Sequence, residues 1–439
     1  MTSGGSTTDE EQAAQSANNA SSSRSSSADA TAMMGKRSAN STVSLSDWGF
    51  PGYLTPSEFA VFEEFRETLL SKDDSDPAFR SAVFSFGEGE DEPYALCRWL
   101  RARKFVLSDV LSMIEEAKTI RETPAKDDFY PDPQKALGVE PSIYIAQYPQ
   151  LYSGSSRSGA PLFISKPGVL NVPGMECITT IAGMLRYHWF SYMHDFGQRL
   201  RAERAKHPDF QRFECVCIID LQGLTSAQVS KRALNIVQVQ TVQDSLCFPE
   251  TLKRMVVINA PSFFSMTWKV MRGWVDARSA SKVEIISKKE EWLPRLLELA
   301  DPSELPSDYG GTAESTVDTL ERENHEDGVL RQFTELICVT NKETVEIGLN
   351  EKECMDVSVF TRSKIAGTFS ISSSASNGEI CCVEVKHDGD GSGEEDPTRV
   401  NLPTQLCGPA KFTVNVKCAT GRFSWQYFLL VGKITEAKE

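Results

Sequence analysis

Residues 215–220 read C-V-C-I-I-D, an unbroken apolar run closed by an acid. A strand with one wet face alternates apolar and polar residues, so a run without that alternation marks a strand buried on both faces, as in parallel sheets covered by helices. Met255 to Asn259 has the same character, Leu162 to Ser165 is a short apolar strand, and Val283 to Ser287 reads as a further strand. Helical periodicity fills the spaces between and after them: Cys177 to about Lys206, Ser226 to Ser245 through Leu234, Val237 and Val242, Ser262 to Trp274, and Glu291 to Leu299. Repeated β-α-β units predict an α/β fold with a mainly parallel sheet and right-handed crossovers.

The flanks differ from this centre. Residues 1–46 are rich in Ser, Ala, Thr and Asn, with S-S-S-R-S-S-S at 21–27, and are expected to stay disordered, because they cannot bury enough apolar area to offset the entropy of ordering. Residues 55–125 read as a small helical lobe. Its first helix opens on Thr55-Pro56-Ser57-Glu58, a capping residue, a first-turn Pro and an early acid, followed by Phe59, Phe62, Phe65 and Leu69. A second helix is predicted from Tyr94 to Phe105, and a third from Ser108 to Arg121 with Val110, Ile114, Ala117 and Ile120 on one stripe. The lobe and the α/β region (140–312) precede an acidic linker at 313–326. Residues 327–435 then alternate short apolar runs (Leu336 to Thr340, Asp356 to Phe360, Thr368 to Ser372, Ile380 to Val385, Phe412 to Lys417, Phe423 to Val431) with Gly, Asn and Pro turns, the pattern of an all-β sandwich.

Composition excludes several functions. A formal net charge of −15 over 439 residues offers no basic face for nucleic acid and no sustained attraction to anionic membranes. No apolar stretch reaches the roughly 18 residues of a membrane span; Met255 to Val275 is interrupted by Asn259, Pro261, Lys269 and Arg272. Asp9, Glu10 and Glu11 are unlike a transit peptide, and no signal-peptide core precedes them. Eleven cysteines without framework spacing are expected to be reduced thiols, and the five scattered histidines offer no zinc site.

Three charges stand where charge is awkward. Arg103 falls seven residues after Leu96, on the stripe of Leu96, Trp99 and Leu100, so it needs an anion unless it snorkels from a helix end. Lys282 leads directly into the strand at Val283, and Glu250 lies just ahead of the one at Met255; each is otherwise a solvated strand end. The helix from Ser262 to Trp274 is apolar almost all round, with Phe263, Phe264, Met266, Trp268, Val270, Met271 and Trp274, and is either a core helix or a lid over an oily ligand. Catalytic patterns fail: there is no Gly-x-Ser-x-Gly elbow, and no Gly-rich phosphate loop. Asp388 to Gly393 imitates half a calcium loop but meets Arg399 at the twelfth position, where a Glu is required.

Five blocks make the chain resemble the CRAL-TRIO lipid-transfer family from about Thr55 to Thr312. They are A-L-C-R-W-L-R-A-R-K-F (Ala95 to Phe105), I-I-D-L-Q-G-L (Ile218 to Leu224), F-P-E-T-L-K-R-M-V-V-I-N-A-P (Phe248 to Pro261), Ser281-Lys282 and L-P-S-D-Y-G-G (Leu305 to Gly311). The β region after it looks like a GOLD domain. The resemblance implies a CRAL-TRIO fold, with a helical lobe, a sheet flooring a lipid pocket and a gating helix, and then a GOLD-like sandwich. It implies headgroup contacts from Arg103, Lys104, Glu250, Ser279 and Lys282, and a pocket and gate formed by Tyr152, Phe163, Cys215, Cys217, Phe263, Phe264, Trp268, Met271 and Trp274. Cys215 and Cys217 replace hydroxyls that hold phosphatidylcholine in the family, and Phe163 replaces a tyrosine.

The expectation is therefore a non-enzymatic, cofactor-free transfer or presentation protein whose ligand is a bound phospholipid. Its partners would be phosphatidylinositol, a second lipid, a transient membrane surface and a protein for the GOLD-like domain, in a cytoplasmic setting at endomembranes. The alternatives are a carrier of a tocopherol- or prenyl-type lipid, and a trafficking adaptor working through the GOLD-like domain.

Overall fold

The structure, a computed structural model, describes residues 27–34, 43–72, 74–87, 89–338, 342–389, 394–418 and 427–437. The chain divides into two compact units at the 118/119 boundary. Most of the Ser-rich tail, and the parts of the expected β runs at 339–340 and 423–426, lie outside the described residues. Within the tail, however, Ser27–Met34 forms a helix (α1). Its end is held by backbone bonds from Gly52 and Leu54 to the Met33 carbonyl, and Met33 is buried.

The first unit is helical, with α2 (Pro56–Lys72), α3 (Pro77–Val83), α4 (Glu92–Ala102) and the start of α5 (Leu107–Lys126). The expected cap of α2 forms reciprocally: Thr55 Oγ1 accepts from the Glu58 amide at 3.2 Å while Glu58 Oε2 accepts from the Thr55 amide at 2.7 Å. Phe62, Phe65 and Leu69 follow into the core. Helix α4 ends earlier than its periodicity predicts, because Lys104 and Phe105 adopt left-handed φ of 51° and 61°. Arg103 consequently leaves the buried stripe and is half-exposed. The buried cations of this helix are Arg98, paired with Glu90, and Arg101, whose guanidinium lies 4.0 Å from the Phe50 ring centre.

The second unit contains the predicted α/β region. Short helices α6 (Pro133–Leu137) and α7 (Pro141–Gln147) lead into a five-stranded sheet of β1 (Gln150–Ser155), β2 (Pro161–Ser165), β3 (Cys215–Asp220), β4 (Leu252–Ile258) and β5 (Val283–Ile286), in that spatial order. β1, which sequence reading missed, is antiparallel to β2; the other pairs are parallel. The first crossover holds α8 (Val172–Ile178), α9 (Ile181–Phe190), a π-helical turn (Ser191–Phe196) and α10 (Gly197–Lys206). The single helix expected there is broken at Thr179, which is extended and donates to the Leu137 carbonyl, and Thr180, whose hydroxyl caps the next helix at the Gly183 amide. The remaining helices are α11 (Lys231–Cys247), α12 (Phe264–Met271), α13 (Ala277–Ser281) and α14 (Lys289–Leu299).

Strand side chains alternate between faces, and each face is buried against something different. Leu162, Ile164, Val216, Ile218, Val256 and Ile258 meet Trp292 and Leu296 of α14. Phe163, Cys217 and Met255 point to the other face, which floors a cavity.

The linker at 313–326 is not bare: Thr316–Glu323 forms α15, with Thr316 and Thr319 buried and Leu320 against the α14-side core. Its acids face outward, which is why composition alone read it as a linker. Beyond it the expected sandwich forms. One antiparallel sheet orders β10 (Ser376–Val385), β9 (Gly367–Ser373), β13 (Ala410–Cys418) and β7 (Lys342–Leu349). The other orders β11 (Thr398–Asn401), β8 (Glu353–Thr361), β14 (Tyr427–Glu436) and β6 (Val329–Cys338), with β12 (Leu406–Cys407) beside β8. Cys354 and Cys407 are register partners on β8 and β12 and form a disulfide, which corrects the expectation of reduced thiols for that pair. The sandwich docks on the α7–α9 corner. Glu140 receives Arg399 at 2.9 Å and Lys433 at 3.2 Å, while Arg362 donates to the Glu176 and Thr179 carbonyls at 2.7 and 3.3 Å, closing the C-terminal end of α8.

Candidate functional site

The cavity on the second sheet face has a volume of about 270 Å³. Its roof is α12 and the tight turn that follows it. Trp268, Met271 and Trp274 line the cavity from above. Phe264 instead anchors the helix base against Leu221 and Val257, and Phe263, half-buried at the helix start, does not reach the cavity wall. The outer face is open: Met266 is 69% and Val270 55% exposed, beside the exposed Lys269 and Arg272. The helix is thus two-faced, with an oily outer surface that a core helix would not keep, and this corrects the all-round burial its composition allowed.

Along the sheet edge the cavity meets a compact charge cluster. Glu250, at a left-handed φ of 59° just before β4, lies between Arg278 at 2.6 Å and Lys282 at 3.3 Å. Lys282 Nζ also donates to the Leu252 carbonyl at 2.6 Å. Ser279 lines the same side, its hydroxyl donating to Asp276 Oδ2 at 2.8 Å within the cap of α13. The structure therefore brings Glu250, Ser279 and Lys282 together. Arg103 and Lys104 belong to the first unit, at the left-handed end of α4, where Arg103 Nη1 donates to the Ala102 carbonyl at 3.3 Å and Lys104 is exposed. Sequence reading missed Arg278, although its place four residues before Lys282 puts both on one helical face.

The opposite side of the lining is aromatic and sulfurous. Tyr152 and Phe163 have ring centres 5.0 Å apart, and the Cys215 and Cys217 sulfurs, two residues apart on one strand face, are 3.5 Å apart. The hydrogen bond with Cys217, together with burial, holds the Cys215 thiol well above its ordinary pKa, and burial pushes the Tyr152 phenol up too. The Cys215 thiol is therefore a neutral packing group rather than a nucleophile. A pair that sequence reading did not connect, His188 on α9 and Asp244 on α11, also lines the cavity, with Nε2 and Oδ1 2.7 Å apart.

The other end of the sheet explains three of the five sequence blocks structurally. Asp220 accepts from the Gln222 amide at 2.9 Å, Asn259 Nδ2 at 2.8 Å and the Tyr309 hydroxyl at 3.0 Å, while Trp292 Nε1 donates to Asn259 Oδ1 at 3.0 Å. Burial and the adjacent Asp220 carboxylate raise the Tyr309 phenol, so it stays a donor. This network closes the sheet's end. Among the described residues no group of three His, Cys, Asp or Glu could hold a metal, and no helix is long and apolar enough to cross a membrane. Residues 390–393 of the calcium-like loop lie outside the described residues, and Arg399 beyond it is a β11 residue held by Glu140.

With this geometry in place, comparison with known proteins finds that residues 146–311 match the CRAL/TRIO domain family. This segment is a CRAL/TRIO domain. It spans β1 to β5 and the helices through α14, and so includes the cavity, its α12 roof and the Glu250–Lys282 cluster. The chain is similar to the phosphatidylinositol/phosphatidylcholine transfer protein SFH9 of Arabidopsis thaliana, 29% identical over 259 residues, which cover 58% of this chain and 42% of that one. It is similar to the SEC14 cytosolic factor of Eremothecium gossypii, 27% identical over 267 residues, covering 61% of this chain and 80% of that one. The crystal structure of Sfh5 aligns with 61% of this chain and 97% of its own at 13% identity and a TM-score of 0.43. The chain thus spans about two fifths of the length of the plant relative.

Proposed function

We propose that this chain is a phospholipid transfer or presentation protein that encloses one lipid at a time, phosphatidylinositol first, in the CRAL/TRIO cavity. The observation that carries the reading is a single cavity with an apolar lid face (Trp268, Met271, Trp274) on one side and the Glu250, Ser279 and Lys282 cluster at its edge. Acyl chains lie against the lid and sheet, the lipid phosphate meets Lys282, and inositol hydroxyls meet Ser279 and Glu250. The names of the relatives, phosphatidylinositol/phosphatidylcholine transfer proteins, support the same ligand class. For Arg103 and Lys104 the proposed headgroup role rests on the resemblance of their sequence block. The protein works without a cofactor or catalysis and meets membranes peripherally. Its C-terminal sandwich is proposed to be GOLD-like, on its two antiparallel sheets, and to bind a protein partner.

A cavity of about 270 Å³ lies at the lower edge of the ~300–1,000 Å³ of small-molecule pockets, so a diacyl lipid requires the lid to move outward. The same volume favours the second reading, a carrier of a single-chain lipid. Native mass spectrometry after incubation with mixed phospholipid vesicles separates the two. A one-to-one phosphatidylinositol adduct is expected; only sterol- or prenyl-sized adducts would retire the phosphoinositide reading.

A further inference from the structure

We propose that the His188–Asp244 pair forms a second polar site in the lipid cavity, one that holds the hydroxyl group of an uncharged lipid alcohol. The inference rests on the reading of the cavity as a lipid pocket and names the class of the second ligand.

The site is built by two helices and the sheet. His188 comes from α9, Asp244 from α11, and the Cys215–Cys217 strand face and the half-buried Tyr192 ring complete it, Asp244 acting electrostatically on both Tyr192 and Cys215. Asp244 Oδ1 is engaged by His188 at 2.7 Å. Among the described residues no protein donor engages its Oδ2, so the carboxylate keeps acceptor capacity toward a cavity whose lining also holds Val237, Phe248 and Trp274 and, among polar groups, the uncharged Thr241 and Ser245. A largely apolar pocket that presents one carboxylate on this side selects there a ligand with one donor.

The same surroundings disfavour phosphate. Among the described residues lining the cavity, Lys282 is the only Lys or Arg, and it is held by Glu250 and the Leu252 carbonyl. Cys217 and Val283 are both register partners of Met255, so the thiol side lies two strands, about 10 Å, from the Lys282 side. A phosphodiester near Cys215 would have thiols, which are weak hydrogen-bond donors, and a carboxylate of its own sign as neighbours. An uncharged alcohol meets neither obstacle. Its single chain also suits a cavity of about 270 Å³ with less lid movement than two chains demand.

A matched single-chain series tests this on the full chain: 1-dodecanol, dodecyl methyl ether and dodecylphosphocholine, titrated against the fluorescence of Trp268 and Trp274 in the lid, with phosphatidylinositol vesicles titrated in parallel. The alcohol is expected to bind roughly 10- to 100-fold more tightly than the ether, the worth of one hydrogen bond to a charged acceptor. Asp244→Asn, which removes the charge and keeps the shape, should shrink that preference about tenfold without changing the preference among ethers of different chain length. Equal binding of alcohol and ether, or tighter binding of the phosphocholine, overturns the site. Phosphatidylinositol binding with no alcohol preference leaves the proposed function standing and this inference refuted; alcohol preference without phosphatidylinositol binding does the reverse.

Discussion

Replacing Lys282 by Ala should separate selection of the lipid from the energy that holds it. Lys282 is 8% exposed and contacts Glu250 at 3.3 Å, but Glu250 keeps Arg278 at 2.6 Å when the lysine is gone. The usual cost of stranding a buried charge, about 3–5 kcal/mol, is therefore largely avoided, and a stability loss of about 1–2 kcal/mol is expected. A charge-assisted bond to the lipid phosphate contributes about 1.5–3 kcal/mol, so phosphatidylinositol affinity should fall roughly 10- to 150-fold. Two acyl chains of about 16 carbons, at ~0.8 kcal/mol per methylene, carry on the order of 25 kcal/mol of transfer energy that the substitution does not touch. Transfer of phosphatidylinositol between vesicles should then drop while a lipid alcohol still binds, as read by vesicle transfer and the lid tryptophans side by side. Equal loss of both ligands, with an unchanged melting temperature, would refute this division of labour and make Lys282 a general determinant of the pocket.

Three further outcomes are expected. Met266→Asp with Val270→Asp removes two exposed apolar groups worth about 1.5–3 kcal/mol each when buried, so vesicle co-sedimentation should weaken at least tenfold while binding of dispersed lipid persists; unchanged sedimentation would show that another face meets the membrane. Asp220→Asn turns an acceptor of three hydrogen bonds partly into a donor, and should cost about 1–3 kcal/mol, read as a lower thermal midpoint; no shift would mean that the network is not structural. Burial alone would raise the Glu140 carboxyl, but its own backbone amide, Arg399 and Lys433 outweigh it and hold the carboxyl below its ordinary value. Its contribution is thus present at neutral pH and lost as pH falls below about 4.5 through the lowered folded value; hydrogen exchange at β11 and the α7 corner should rise over that window and not in Glu140→Gln, whereas a rise in both would place the acid sensitivity elsewhere.

The parallel sheet was legible because C-V-C-I-I-D and M-V-V-I state two-sided burial directly, and the unusual place of α12 was legible because its apolar residues exceed what one helical face can use. What escaped was decided by contacts distant in sequence. The α8–α9 break depends on Thr179 reaching the Leu137 carbonyl, 42 residues away, a tertiary contact that overrides local helical periodicity. Arg103 was placed on the buried stripe by assuming that α4 continues, but the left-handed turn at Lys104 and Phe105 uses no glycine and leaves no local signal. Nothing in spacing pairs Cys354 with Cys407, or His188 with Asp244, 56 residues apart. Arg278 is different: helical spacing alone puts it beside Lys282, and both cations reach Glu250.

On the proposed transfer function, the two faces of α12 also decide where the cavity opens. Trp268 and Trp274 roof the cavity, and lifting them into water would expose up to about 200 Å² each, on the order of 10 kcal/mol at 25 cal/mol per Å² if all of it became wet. Even half of that holds the open form in water below about one molecule in a thousand. A bilayer removes the penalty by accepting the same rings, and Met266, Val270, Lys269 and Arg272 on the outer face are placed to meet it first, the cations at the headgroup level and the apolar pair below. Opening and membrane contact are then one event rather than two. On the same proposal, the −15 net charge opposes lasting adhesion to an anionic surface, so the oily residues would confer brief docking.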